Sequence, residues 1–217
     1  MKHKIRLMTA IGISLLPTNR LRVFLYKLLL NYRISDAHIS WLTLICVESA
    51  ELNGCKIGMF NKFSGPMLLT IGHDTAIDNF NTFTCGRWTK DPEFADDGYE
   101  RKLTIGSSVL ITSHHFFDIA GNITIGDNTW IAGRYSQFWT HGAGKLDKDI
   151  NIGERCYVGS SVKFATGSGV GDNCIVGLGS VVTKYVNVDN AMVAGNPARV
   201  IKSNFDWKAG TYLIEKK

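Results

Sequence analysis

Three imidazoles and two indoles carry most of the chemistry that this sequence could perform. His114 and His115 are adjacent and follow Ile111, and His141 lies in the stretch Phe138-Trp139-Thr140-His141-Gly142. A neutral imidazole, with a reference pKa of about 6.5, is the side chain best matched to accepting a proton near neutral pH. The His-His pair also invites a metal reading, but Asp118 is the one carboxylate near it and no cysteine completes a ligand set, so no metal is expected. Trp88 and Trp139 offer ring faces suited to stacking on a sugar. The five cysteines, Cys46, Cys55, Cys85, Cys156 and Cys174, are an odd number with no C-x-x-C pair. Neither a disulfide framework nor a zinc knuckle is indicated, and none has a histidine close in sequence to activate it, so core packing is expected.

These groups need a scaffold, and a six-residue period supplies one. From residue 152 an aliphatic or aromatic residue recurs every six positions, as Ile152, Val158, Phe164, Val170, Val176, Val182 and Val188. Gly153, Gly159, Ala165, Gly171 and Gly177 follow five of the first six. A helix would space apolar residues three and four apart, and an ordinary strand would alternate by two. A period of six fits a chain that runs straight briefly, turns a corner and repeats, with the small residue expected to ease the corner conformation. Three sixes close a triangular coil of 18 residues, and stacked coils bury what one coil alone would expose.

Earlier Ile-Gly pairs, Ile57-Gly58, Ile71-Gly72, Ile105-Gly106 and Ile125-Gly126, follow the same grammar with interruptions. The step from 125 to 152 is nine residues longer than a coil and places a loop at 141–149. The step from 71 to 105 is 16 longer and places a second at 86–101. Loops leaving a rigid solenoid are where function tends to sit. Residues 18–33 read as a helix, capped by Thr18 or Asn19, with Leu21, Phe24, Leu25, Leu28 and Leu29 as its apolar face. The predicted organisation is an N-terminal helical, basic segment over 1–50, a β-helix domain over 51–202 and a C-terminal tail over 203–217.

With these repeats the sequence resembles the hexapeptide-repeat acyltransferases, among them the sugar and polysaccharide O-acetyltransferases. The resemblance covers roughly residues 55–202 and is most specific in IGERCYVGSS, VGDNCIVGLGSVVTK and AGNPARVIK. It implies a mainly β chain folded as a left-handed parallel β-helix, a homotrimer, and acetyl-CoA as co-substrate in a groove between subunits. It also implies that His141 is the general base, with His114 and His115 as competitors. Matched onto the family's C-terminal half, Ser160, Leu178, Thr183 and Lys184 fall along the pantetheine path, and Arg199 and Lys202 meet the phosphates. Asn79 matches an acceptor-binding asparagine of sugar acetyltransferases, and Trp88 and Trp139 are candidates for the acceptor wall.

The expected activity is therefore acetyl transfer to a saccharide hydroxyl. An amine acceptor and a catalytically silent scaffold are the alternatives. The formal charge of +5 does not point to nucleic acid, because Lys2, Lys4, Arg6, Arg20, Arg22, Lys27 and Arg33 carry it at the N-terminus while the rest is near neutral. The apolar run Leu7–Pro17 resembles a short signal core without a convincing cleavage site, and about eleven residues is too short to span a bilayer. A helix docked on the body, or resting on a membrane surface, is the expectation. A cytoplasmic location, at the inner face of a membrane if that contact exists, fits the unpaired cysteines.

Overall fold

The computed structural model describes residues 3–143 and 147–208. The chain is mainly β and winds about eight turns of a left-handed parallel β-solenoid behind two N-terminal helices. One face, here the phenylalanine face, stacks the first halves of Leu44–Asn53 and Lys62–Ile71 with Thr82–Thr84, Phe116–Asp118, Gln137–Trp139, Lys163–Phe164 and Val181–Val182. The isoleucine–glycine face stacks the second halves of the same two long strands with Lys102–Ile105, Asn122–Ile125, Ile150–Ile152, Ser168–Val170 and Tyr185–Val186. The third face runs in short strands from His38–Ile39 to Met192–Gly195 and closes on the antiparallel strand Ala198–Lys202.

The inter-coil register follows the sequence spacing: Ile71 pairs with Ile105, Ile105 with Ile125, Ile125 with Ile152, and Ile152 with Val170. The last step departs from it, because Val170 pairs with Val186 instead of Val188. The corner carrying Thr183 and Lys184 is shortened there. The solenoid also starts earlier than the sequence pattern indicated. Arg33–Ser35 already pairs with the strand Leu44–Asn53, since these coils lack the Ile-Gly punctuation.

The small residues do a different job from the one predicted. None of Gly58, Gly72, Gly106, Gly126, Gly153 and Gly171 has a positive φ. A Cβ on Gly126 would lie 2.6 Å from the Gly153 carbonyl carbon, so these glycines let successive coils approach. The left-handed conformation falls two residues later, at Asp74, Ser108, Asn128, Arg155 and Asn173. At a second corner it falls on Phe60, Phe80, His114, Tyr135 and Ser161.

Inside the phenylalanine face, Phe63, Phe83, Phe117, Phe138 and Phe164 stack with centroids 4.3, 4.5, 4.2 and 5.1 Å apart. All five are fully buried, so the coils share one continuous apolar core.

The helices α1 (His3–Ser14) and α2 (Asn19–Leu30) cover the open edge of the first coil. Thr18 caps α2 by accepting the Leu21 N–H. An uncovered strand edge presents unpaired N–H and C=O groups, and α2 meets them with polar side chains. Asn19 accepts the Ile39 N–H, and the Arg22 guanidinium donates twice to the Ile39 carbonyl. Tyr26 accepts the Ile45 N–H, while Tyr32, just beyond α2, accepts the Val47 N–H and donates to the Val47 carbonyl. The buried stripe of α2 is therefore Arg22, Tyr26 and Leu30. The leucine face expected to dock is turned outward instead, with Leu21, Phe24, Leu28 and Leu29 exposed. No helix of the described residues is long and apolar enough to cross a membrane.

Candidate active site

Both insertions leave the solenoid at the corner between the phenylalanine and isoleucine–glycine faces. The segment 86–101 forms two short 3-10 turns, Arg87–Lys90 and Pro92–Phe94. It is tied down by an ion pair from Lys90 to Glu48 at 2.6 Å and by the Arg101 guanidinium, which donates to the carbonyls of Thr89 and Tyr99. The segment 141–149 leaves two coils further on, and residues 144–146 of it lie outside the described residues. Although a full coil separates their origins, the two meet. Lys148 lies 4.8 Å over the Tyr99 ring and donates to the Asp97 carbonyl.

His141 stands where they converge. Its Nδ1 lies 2.6 Å from Asp118 Oδ2, with the Asp118 side chain 8% exposed and that of His141 40% exposed. A carboxylate only accepts, so in the neutral ring Nδ1 carries the hydrogen and Nε2 keeps a lone pair. Thr140, fully buried, locks the geometry. Its hydroxyl donates to the Asp118 carbonyl at 2.7 Å and accepts the N–H groups of Ala120 and Gly121 at 2.8 and 2.9 Å. The strand end bearing His141 is thereby pinned to the corner bearing Asp118.

Two indoles lie beside the imidazole. Trp88 meets it edge-on at 5.4 Å and is itself held by Phe94 and Tyr99 at 5.1 and 5.0 Å. Gly86 makes room for that indole, since a Cβ there would fall 2.1 Å from Trp88 Nε1. Trp139, 38% exposed, lies 6.5 Å from the imidazole and rests on Phe116 at 4.9 Å. The arrangement is an open, aromatic-walled notch with a buried carboxylate behind an accessible imidazole nitrogen. Asp118, Phe94 and Tyr99 were not singled out from the sequence as parts of this notch. The aspartate's one signal was its place at a strand end in the hexad before the tight corner.

The competing histidines are placed otherwise. His115 is a rung in a buried polar ladder in which each side chain accepts the N–H of the next coil. Asn61 accepts from Asn81, Asn81 from His115, His115 Nδ1 from Ser136, and Ser136 from Val162. Its Nε2 lies 3.1 Å from Thr112 Oγ1, so both ring nitrogens are engaged. Burial pushes its pKa down to about 4, with the neighbouring His114 adding a smaller push. Buried and with both ring nitrogens engaged, His115 presents no free nitrogen to an acceptor hydroxyl. His114 sits at a different corner from His141 with φ +65° and stacks on Phe80 at 5.0 Å.

The cysteines are buried, as expected, and free. Burial raises the thiol pKa of Cys55 and Cys85 to about 11 and of Cys156 to about 12. Among the described residues no group of three or more His, Cys, Asp and Glu side chains could hold a metal ion.

The residues matched to the donor path divide between corners. Thr183 and Lys184 are exposed at the corner that also bears His141. Ser160 and Leu178 lie at the corner that carries His114, where Leu178 is 75% exposed. Asn79 is at that corner too, and its Oδ1 accepts the Met59 N–H at 2.7 Å, so within one chain it is not brought to His141. Arg199 and Lys202 are exposed on the terminal antiparallel strand, with Lys202 Nζ 4.6 Å over the Phe205 ring.

No protein-family model matches the sequence. The chain is 33% identical over 141 residues to a chloramphenicol acetyltransferase of Agrobacterium fabrum, covering 61% of this chain and 64% of that protein. It is 37% identical over 147 residues to the galactoside O-acetyltransferase of Escherichia coli, covering 64% of this chain and 71% of that one. Among solved structures, the hexapeptide-repeat-containing acetyltransferase of Vibrio cholerae superposes with a TM-score of 0.52 over 94% of this chain and 93% of that one. At 19% identity that likeness speaks for the fold alone. Taken with the repeat and the identity to the galactoside enzyme, these likenesses place the chain in the hexapeptide-repeat acetyltransferase family.

Proposed function

We propose that this protein transfers an acetyl group from acetyl-CoA to a hydroxyl of a saccharide, with His141 as general base and Asp118 as its positioning residue. The single observation that carries the reading is the 2.6 Å contact between His141 Nδ1 and the buried Asp118 carboxylate, which leaves Nε2 accessible in an aromatic notch. His141 Nε2 accepts the proton of the acceptor hydroxyl as that oxygen attacks the thioester carbonyl. The charge that develops on the imidazolium is met by the carboxylate behind it. When the carbon–sulfur bond breaks, the imidazolium returns the proton to the departing thiolate, so no acyl-enzyme is needed and the proton count closes.

The acceptor class rests on the rings. Trp139 and Trp88 lie beside the imidazole, and an exposed indole face is a stacking surface for the apolar face of a pyranose. The relatives carry acceptor names as different as chloramphenicol and galactoside, so family membership alone does not choose among acceptors.

For the donor, a groove between two copies reconciles the split of the matched residues. Thr183 and Lys184 of one copy would face Ser160 and Leu178 of the next, and a closed ring of three copies satisfies every such contact. The test is release of free thiol from acetyl-CoA across a panel of sugars, amino sugars and lipid-linked glycans, with donor binding followed by calorimetry. Turnover with a sugar hydroxyl is expected. Turnover confined to amines would replace the O-transfer reading, and absence of donor binding would replace the transferase reading with a scaffold.

A further inference from the structure

We infer that the paired N-terminal helices form a docking surface for an anionic lipid membrane, a property independent of the transfer chemistry. In an ordinary cap the apolar stripe of each helix faces the body, but here the edge of the first coil takes up the polar stripe of α2 through Asn19, Arg22 and Tyr26. Leu7, Ala10, Ile13, Val23, Leu25 and Leu30 pack on the core, but a second set of apolar residues is left pointing to solvent. On α2, Phe24 is 57% and Leu28 63% exposed; on α1, Ile5 and Met8 are 55 and 69% exposed, and Leu15, just beyond its end, is 55% exposed. Ile5 and Met8 fall three positions apart, which puts them on one face of α1. Trp41 continues the patch. It is 46% exposed and is held at the turn between the helices by a hydrogen bond from its indole N–H to the Leu15 carbonyl.

An exposed apolar surface of this kind on a helix pair marks an interaction site, and its charge identifies the partner. Residues 3–35 contain no Asp or Glu. Lys4, Arg20 and Lys27 are exposed on these helices, and among the described residues none forms an ion pair. Beside α2 runs an open groove of about 650 Å³ floored by Val23, Phe24, Leu28 and Ile34, with Arg20 and Lys27 at its rim and Asp36 as its one carboxylate. The other acidic groups close by are already engaged, Glu51 at 4.0 Å from Arg33 and Glu48 at 2.6 Å from Lys90. Rings and aliphatic side chains flanked by unpaired cations fit a surface that is apolar within and negative at its headgroups. With helices too short to cross a bilayer, the contact is peripheral.

The test is co-sedimentation of the full chain with vesicles of phosphatidylcholine alone and of phosphatidylcholine mixed with phosphatidylglycerol, at low and high salt. The pairs Phe24→Asp with Leu28→Asp and Arg20→Glu with Lys27→Glu serve as variants, with circular dichroism and oligomer size measured alongside. All four side chains are exposed, so both pairs should stay folded. The expected result is binding to the anionic vesicles that weakens with salt and falls roughly tenfold or more in each pair, with oligomer size unchanged. Absence of binding to anionic vesicles, or binding that neither pair alters, would overturn the inference. So would a change of oligomer size in either pair, which would make this face a contact between copies.

Discussion

Replacing Asp118 with Asn perturbs the site at the buried carboxylate behind the imidazole. The side chain keeps its shape and an acceptor oxygen but loses the charge that lies 2.6 Å from His141 Nδ1. Unit charges about 4 Å apart interact by about 4 kcal/mol at an effective dielectric constant of 20. The His141 side chain is 40% exposed, and solvent screening removes about half of that. About 2 kcal/mol of imidazolium stabilisation should therefore disappear from the transition state, a fall of roughly 30-fold in kcat. A larger loss would follow if the amide nitrogen faced the ring and forced the wrong tautomer. Steady-state thiol release with the acceptor varied at saturating acetyl-CoA separates kcat from KM, and calorimetry gives the donor Kd. The reasoning requires kcat to fall while the donor Kd and Tm hold. A variant with kcat within about twofold of wild type would refute the role given to Asp118.

Other consequences follow from the same geometry. His115→Asn should preserve the buried ladder, since Asn61 and Asn81 already serve as rungs, while removing a pH dependence of stability. Because the folded pKa is about 4 and the unfolded value about 6.5, the unfolded chain binds the proton first as pH falls. The wild type should hold its full stability above about pH 6.5 and lose about 3 kcal/mol between there and pH 4. Denaturant titrations across that window should show a slope that His115→Asn lacks, and an identical slope in both proteins would contradict the assignment. Thr140→Val leaves the Ala120 and Gly121 N–H groups without their acceptor and should cost about 2–3 kcal/mol in urea unfolding, with kcat falling as His141 loses its anchor. Gly153→Ala would place a methyl 2.6 Å from the Gly171 carbonyl carbon and should cost about 1–3 kcal/mol in the same assay, where an unchanged midpoint would argue against the inter-coil contact.

The solenoid was legible because its period is covalent. Each coil repeats the same inward position, so Ile71, Ile105, Ile125, Ile152 and Val170 could be stacked from spacing alone, and the length of each insertion followed by subtraction. Spacing does not report backbone conformation. The glycines after those residues were expected to turn the corner, yet they relieve crowding between coils, and the turning is done by residues such as Asn128 and Asn173. The final register slipped for a related reason, since both Val186 and Val188 satisfy an apolar pattern and only the tight corner decides between them.

The helix α2 failed in an instructive way. Hydrophobic patterning assumes that a helix docks through its apolar stripe, but an open strand edge needs hydrogen bonds, and Arg22 and Tyr26 supply them. In the candidate site the histidine was readable from its loop. Asp118 was not readable as its partner, because a separation of 23 positions becomes a contact only when one coil lies on the next. Trp88 likewise reaches His141 across an intervening coil, which no local pattern reports.

The most direct test of the whole account is acetyl-CoA turnover by His141→Ala beside wild type, with the acceptor that the panel identifies and with donor binding measured on the same samples. Turnover reduced by roughly a thousandfold or more, with the donor Kd unchanged, is the predicted result. Near-normal turnover in this variant would contradict the central claim that the accessible nitrogen of His141 takes the acceptor's proton.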